Sequence, residues 1–184
     1  MTLDGIDDID RRIIYALQRD ARRTSSQTIA DEAGVSASTV RNRIQRLEDR
    51  GVIRGYHADV DYELAGYQLY TLIVCTAPVP RREELAAAAL EVPGVVRVEE
   101  VMTGAENVHV FAVGLDGDDL SRIGRDLDEL GLEVVDEDLI RNVHSGPFTA
   151  FDVENGDGSD ARDSDGSDAR DSDGDGDFDD ADER

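Results

Sequence analysis

The chain is expected to be an α+β protein in three parts: a helical N-terminal part, a β-α-β-β-α-β part, and an acidic tail. Three observations point there. Up to about residue 50, apolar residues recur at helical spacing. From Tyr67 onward, β-branched runs alternate with helical stretches. From Asp152 the composition narrows to aspartate, glycine and serine, and the octet DGSDARDS occurs twice, at 157–164 and 165–172.

The first helix is expected over residues 6–20. Ile6, Ile9, Ile13, Ile14 and Leu17 make a wide apolar stripe, and Asp7, Asp8 and Asp10 favour its positive N-terminal end. Residues 24–55 then read as two short helices around a tight turn. Ser26 is a plausible N-cap for the first, with Ile29, Ala30 and Ala33 on one face. Gly34 supplies the turn, because a left-handed backbone is cheap only for glycine. Ser36 is placed to cap a helix ending near Gly51, in which Val40, Ile44 and Leu47 form one stripe.

The opposite face of that third helix presents Ser38, Thr39, Asn42, Gln45 and Arg46, with Arg41 and Arg43 on its flanks. Hydroxyls, amides and guanidiniums are the groups that bond base edges and phosphates in a major groove. An ordinary amphipathic surface helix would also carry such a stripe. The turn and both helices together favour a helix-turn-helix whose second helix reads DNA. Val52, Ile53 and Tyr56, before His57–Val60, are expected to form a two-stranded wing. Residues 1–60 are thus expected to be a winged helix-turn-helix domain, and 61–66 a linker.

In the second part, Tyr70–Ala77 is expected to be a central strand, stopped by Pro78 and Pro80. An alanine-rich helix follows over Arg81–Leu90, then strands over Val95–Met102 and Val108–Leu115. A helix over Leu120–Leu130 ends at Gly131, and the last strand runs Val134–Val143, before an apolar close at Phe148 and Phe151. This order over 67–151 is the ferredoxin-like split unit. Its two helices cover one sheet face, so the other calls for a partner, which argues for a dimer. The tail, 152–184, is expected to be disordered, because it has too few apolar residues to bury. Asp173, Asp175 and Asp177 have calcium-loop spacing but lack the later glycine and closing glutamate, so a solvated tail is the reading kept.

Charge narrows the functional classes. The 184 residues carry 43 acids against 19 bases, a net charge of -24, and every base is arginine. Residues 1–60 balance 10 acids with 10 bases, whereas 61–151 and 152–184 each carry a net -12. Only the N-terminal part is therefore electrostatically suited to nucleic acid. An acidic, lysine-free surface suggests work in high salt, where molar ions shorten the screening length to about 3 Å. The one cysteine, Cys75, sits in an apolar run and reads as a buried structural thiol. No apolar stretch approaches 18 residues and no signal-peptide pattern opens the chain. A soluble cytoplasmic protein without membrane contact is expected. His57, His109 and His144 are scattered, and no metal spacing, catalytic triad or phosphate loop appears. No catalytic or metal residue, no cofactor and no enzyme activity are expected.

IDDIDRRII, LQRDAR and IADEAGVSASTVRNRIQRLEDRGVI, followed by a βαββαβ domain with a Thr-Gly loop, together resemble the Lrp/AsnC (feast/famine) transcriptional regulators over about residues 3–151. The composition looks like that of a haloarchaeal member. The resemblance implies promoter binding through the third helix, with Ser38, Thr39, Asn42, Arg43 and Arg46 as DNA contacts. It implies dimers with facing sheets, assembled further into tetramers or octamers. It also implies a small effector, usually an amino acid, at the loop Thr103-Gly104-Ala105-Glu106-Asn107. There the family tends to show Thr-Gly-x-aromatic-Asp, and this chain has Glu106 and Asn107 at the last two places. A simple hairpin turn is the other reading of that loop. Two further functions fit the same architecture: a metabolite-sensing module without DNA binding, and an enzyme like the siroheme decarboxylases.

Overall fold

The computed structural model describes residues 5–152. The acidic tail from residue 153 on, with its aspartate spacing at 173–177, lies outside the described residues. The described residues divide into two compact units: one holds 5–44 and 148–152, the other Gln45–Pro147.

The first unit is built from helices. Helix α1 is Asp8–Asp20, α2 is Ser26–Ala33, and α3, Ala37–Asp49, begins here and runs into the second unit. Asp7 caps α1 by accepting from Asp10 N–H at 2.9 Å, and the Asp10 carboxylate reaches back to Asp7 N–H at 3.4 Å, closing a capping box. Ser25, rather than the expected Ser26, caps α2: its hydroxyl accepts from Thr28 N–H at 3.0 Å. Gly34 ends α2 at φ +66°, where glycine avoids the Cβ penalty. Ser36 caps α3 as expected, accepting from Thr39 N–H at 3.1 Å. Ile13, Ile14, Ile29, Ala30 and Val40 are buried, the apolar stripes read from the sequence. Phe148 and Phe151, expected to close the second domain, belong to this unit instead. The Phe148 N–H donates to Gln18 on α1 at 3.2 Å, and the two rings meet edge to face at 4.9 Å.

The expected wing does not form. Residues 52–60 contain no strand. Gly51, at φ +69°, and the N–H groups of Val52 and Ile53 cap α3 by bonding to Glu48 and Leu47 carbonyls at 2.9–3.2 Å. The chain beyond, residues 54–61, is exposed. Residues 61–66, expected as a linker, make a hydrogen-bonded turn: the Leu64 N–H bonds the Asp61 carboxylate at 2.9 Å and Tyr67 N–H bonds Tyr62 O at 2.8 Å.

The second unit holds a four-stranded antiparallel sheet in the order β2-β3-β1-β4, from β1 Leu69–Thr76, β2 Val95–Glu100, β3 Val108–Gly114 and β4 Glu133–Leu139. β2 and β4 are shorter than expected at their C-terminal ends. Helices α4, Arg82–Ala89, and α5, Gly117–Leu130, pack on one face, and α5 starts earlier than expected because Asp116 caps it. Ile73 and Cys75 from β1, with Ala77 just beyond it, meet Val108, Val110 and Ala112 from β3, and Leu85, Ala89, Ile123 and Leu127 close over them. Burying each large aliphatic chain contributes about 1.5–3 kcal/mol. Register places Tyr70, Leu72, Val74, His109 and Phe111 on the other face, half covered.

Two predictions follow from this packing. Gly94 sits at φ +101°, and a Cβ there would lie 2.7 Å from Ile123 Cδ1 and 3.0 Å from Val113 O. Gly94→Ala should cost about 1–3 kcal/mol, read as a lower urea midpoint; an unchanged midpoint would show the approach to be unstrained. Burial, with Glu137 adding to it, pushes the Cys75 thiol up from 9.0 to about 11. A raised folded value favours the protonated thiol, so its contribution is intact below pH 9 and is lost as pH rises through about 11. Denaturant titrations should show stability falling across pH 9–11 in the wild type, and falling less in Cys75→Ala.

Candidate functional site

Helix α3 presents an ordered outer face. Ser38, Arg41, Asn42, Gln45 and Arg46 are all exposed and fall at i, i+3, i+4, i+7 and i+8, one stripe of a helix. The inner stripe is Val40 and Leu47, buried, with Ile44 half-buried. At the start of the helix the hydroxyls of Ser38 and Thr39 each lie 2.8 Å from that of Ser36. Hydroxyls around a helix N-terminus suit a phosphate, because the free N–H groups and the helix dipole attract anions there. Thr39 is half-buried and stands at the edge of this group. Gln45 bonds Asp49 at 3.0 Å across one helical turn.

Arg43 is set apart from that face. Its Nη1 donates to both carboxylate oxygens of Asp7, at 2.6 and 2.8 Å, and to Asp10 Oδ1 at 2.8 Å. The Arg43 side chain is 19% exposed and that of Asp10 6%. Burial alone would raise the Asp7 carboxyl, but the Asp10 N–H and the Arg43 guanidinium outweigh it and hold Asp7 below the usual carboxylate range. Hydrogen bonds to Asp7 and Asp10 push Arg43 up in turn. These partners lie 36 and 33 residues away in sequence. The sequence signal that could have found them is the Asp7–Asp10 capping-box spacing, which leaves two carboxylates together at one helix start.

The loop between β2 and β3 divides in the same way. Thr103, Gly104, Ala105 and Glu106 are exposed. Thr103 donates to Ala105 O at 2.7 Å, and Glu106 adopts φ +52° with its N–H on Thr76 Oγ1 at 2.9 Å. Asn107 is fully buried. Its Oδ1 accepts from Ala77 N–H at 2.8 Å and its Nδ2 donates to Ala77 O at 2.9 Å. The amide thus completes the backbone pairing at the end of β1, with both polar atoms bonded to Ala77 and the side chain fully buried. A cleft of about 580 Å³ in this unit lies elsewhere, lined by Tyr62, Tyr67, Tyr70, Arg97 and Arg141 among others.

Comparison with known proteins places the helices of this site in a known domain type. Residues 6–48 match the AsnC-type helix-turn-helix domain. An HTH-type transcriptional regulator of Pyrococcus furiosus is 32% identical over 144 residues, spanning 73% of this chain and 96% of that protein. The chain belongs to the Lrp/AsnC family of HTH-type transcriptional regulators. Another relative of this Lrp/AsnC protein is the HTH-type transcriptional regulator LrpA of Mycobacterium tuberculosis, 39% identical over 98 residues, 53% of this chain and 61% of LrpA. Among solved structures, a feast or famine regulatory protein from M. tuberculosis complexed with L-methionine superposes with a TM-score of 0.65 at 27% identity, covering 77% of this chain and 96% of that one. No helix among the described residues is long and apolar enough to cross a membrane.

The buried amide of this Lrp/AsnC protein makes a test of its own. Asn107→Ala leaves the Ala77 N–H and carbonyl unpaired in a dry site, and should cost about 2–4 kcal/mol. A thermal unfolding midpoint equal to that of the wild type would show that the amide is dispensable there.

Proposed function

We propose that this chain binds duplex DNA in a sequence-dependent way through the outer face of α3, as a dimer, under control of an amino acid or another small metabolite. The observation that carries the reading is the single exposed stripe Ser38, Arg41, Asn42, Gln45 and Arg46 within the stretch that matches the AsnC-type domain. Ser38 and Thr39 suit phosphates, Asn42 suits adenine, and Arg41 or Arg46 suits guanine or phosphate. Residues 1–60 carry the DNA function in this reading, 61–66 connect, and 67–151 serve oligomerisation and effector binding. The half-covered sheet face with Leu72, Val74 and Phe111 supports pairing with a second copy, and so two half-sites on the DNA. Such dimers can assemble further into tetramers or octamers.

The L-methionine bound to a relative supports an amino-acid effector. In this chain the groups left to meet it are Thr103, Gly104, Ala105 and Glu106, since Asn107 is taken up by Ala77. The Glu106 carboxylate is the natural partner for an ammonium. The relatives are named as regulators, which supports a role without catalysis. A DNA partner is consistent with a cytoplasmic protein, and the charge of -24 without lysine suits molar potassium salt.

Mobility shifts against genomic fragments, run across a range of potassium concentrations, test this. Asn42→Ala and Arg46→Ala should each weaken binding to a retained fragment by about 1–3 kcal/mol. Arg41→Ala should flatten the log–log salt dependence by about 0.9 if it meets a phosphate. A chain carrying all three changes that still shifts the same fragments at the same concentration would sink the proposal.

A further inference from the structure

We infer that Asp7, Asp10 and Arg43 form a lock that sets the position of α3 on α1, so that Arg43 governs DNA binding by aiming the helix and not by touching DNA. This rests on the reading of α3 as the DNA-binding helix. Arg43 is then a positioning residue, and the contacting set shrinks to its exposed neighbours.

Three observations carry it. First, one nitrogen, Nη1, is shared by three carboxylate oxygens at 2.6–2.8 Å. For Arg43 to turn to a phosphate, it would have to leave two carboxylates together. The Asp10 side chain is only 6% exposed, so that separation leaves an unpaired charge away from water. Second, the two carboxylates are themselves fixed. Asp7 is the N-cap and Asp10 the N3 residue of α1, each held by the other's backbone N–H. The guanidinium is therefore referenced to the first turn of α1, where the backbone is most tightly specified. Third, the inward-facing side chains of α3 beside Arg43 are apolar: Val40 and Ile44 give affinity without direction. Arg43 adjoins Asn42 and lies one turn before Arg46. A rotation of α3 that swings those two side chains off the groove must break the lock.

The two roles for Arg43 predict opposite signs for one substitution. If Arg43 contacted DNA, removing a competing carboxylate would free it, and Asp10→Asn would bind a retained fragment as tightly as wild type or more tightly. A lock predicts the reverse: Asp10→Asn and Arg43→Gln each weaken binding tenfold or more, and the double variant is no weaker than Arg43→Gln alone. Asp7→Asn, at the more exposed carboxylate, should weaken binding less and serves if Asp10→Asn fails to fold. Hydrogen exchange of the α3 amides in the full chain, without DNA, gives the second readout. Faster exchange across Ser38–Arg46 in Asp10→Asn or Asp7→Asn, with α2 unchanged, is expected. Undiminished binding by both aspartate variants, or α3 exchange equal to wild type, overturns the lock. A wild-type chain that shifts no fragment overturns the DNA reading instead, and exchange alone then decides the lock.

Discussion

Burial on one face only is the constraint under which the second unit is built. Helices α4 and α5 lie on the same side of the sheet, so β1 and β3 must alternate between a dry row and an open one. The dry row is small and aliphatic: Ile73, Cys75, Ala77, Val108, Val110 and Ala112. The open row cannot be uniformly polar, because β1 is central and its side chains are crowded by neighbours on both sides. It holds Tyr70, Leu72, Val74 and Phe111, and the Arg97 guanidinium lies 4.8 Å over the Phe111 ring. Tyr62 extends this row, its ring tilted 41° against that of Tyr70 with centres 5.6 Å apart. A sheet of this kind is held together by one core and finished by whatever meets its second face.

Electrostatics in the first unit solve a different problem. An acidic chain has to keep cations available on one helix. Exposed ion pairs in this unit such as Arg11–Asp8 and Arg23–Asp20 are of the i,i+3 kind, and each contributes only a few tenths of a kcal/mol. The Arg43 cluster differs from these, because it joins two helices and one of its members is buried. Buried pairs are screened little by salt, whereas phosphate contacts weaken steeply with it. The arrangement therefore separates the charges that hold the helix from those that meet solvent.

How much of this was legible depended on the range of the signal. The helices of the first unit and the strand-helix alternation of the second were readable, since period and caps are local: Gly34, Ser36 and Gly131 all stop or start elements where expected. The wing was read from three apolar residues, Val52, Ile53 and Tyr56, but these lack strict alternation, and Tyr56 bonds Glu48 on α3 at 2.9 Å instead. The candidate site was legible as a stripe and not as a set of roles. Arg43 and Asn107 look like their exposed neighbours in sequence; their partners, Asp7 and Ala77, stand 36 and 30 residues away. Only packing in three dimensions tells a free guanidinium from one already spent, or an open amide from one that mends a strand end.

The Phe148–Phe151 turn on α1 also orders events in time. The first unit uses residues from both sides of the second, so the helices at its start wait for a segment that follows Pro147. During synthesis, N-terminal segments usually fold as they emerge. Here α1 emerges long before the residues that cover it, and its contact with them completes only after the whole sheet unit has been made. Helix α1 of a nascent chain thus lacks this contact until Phe148–Phe151 has been made.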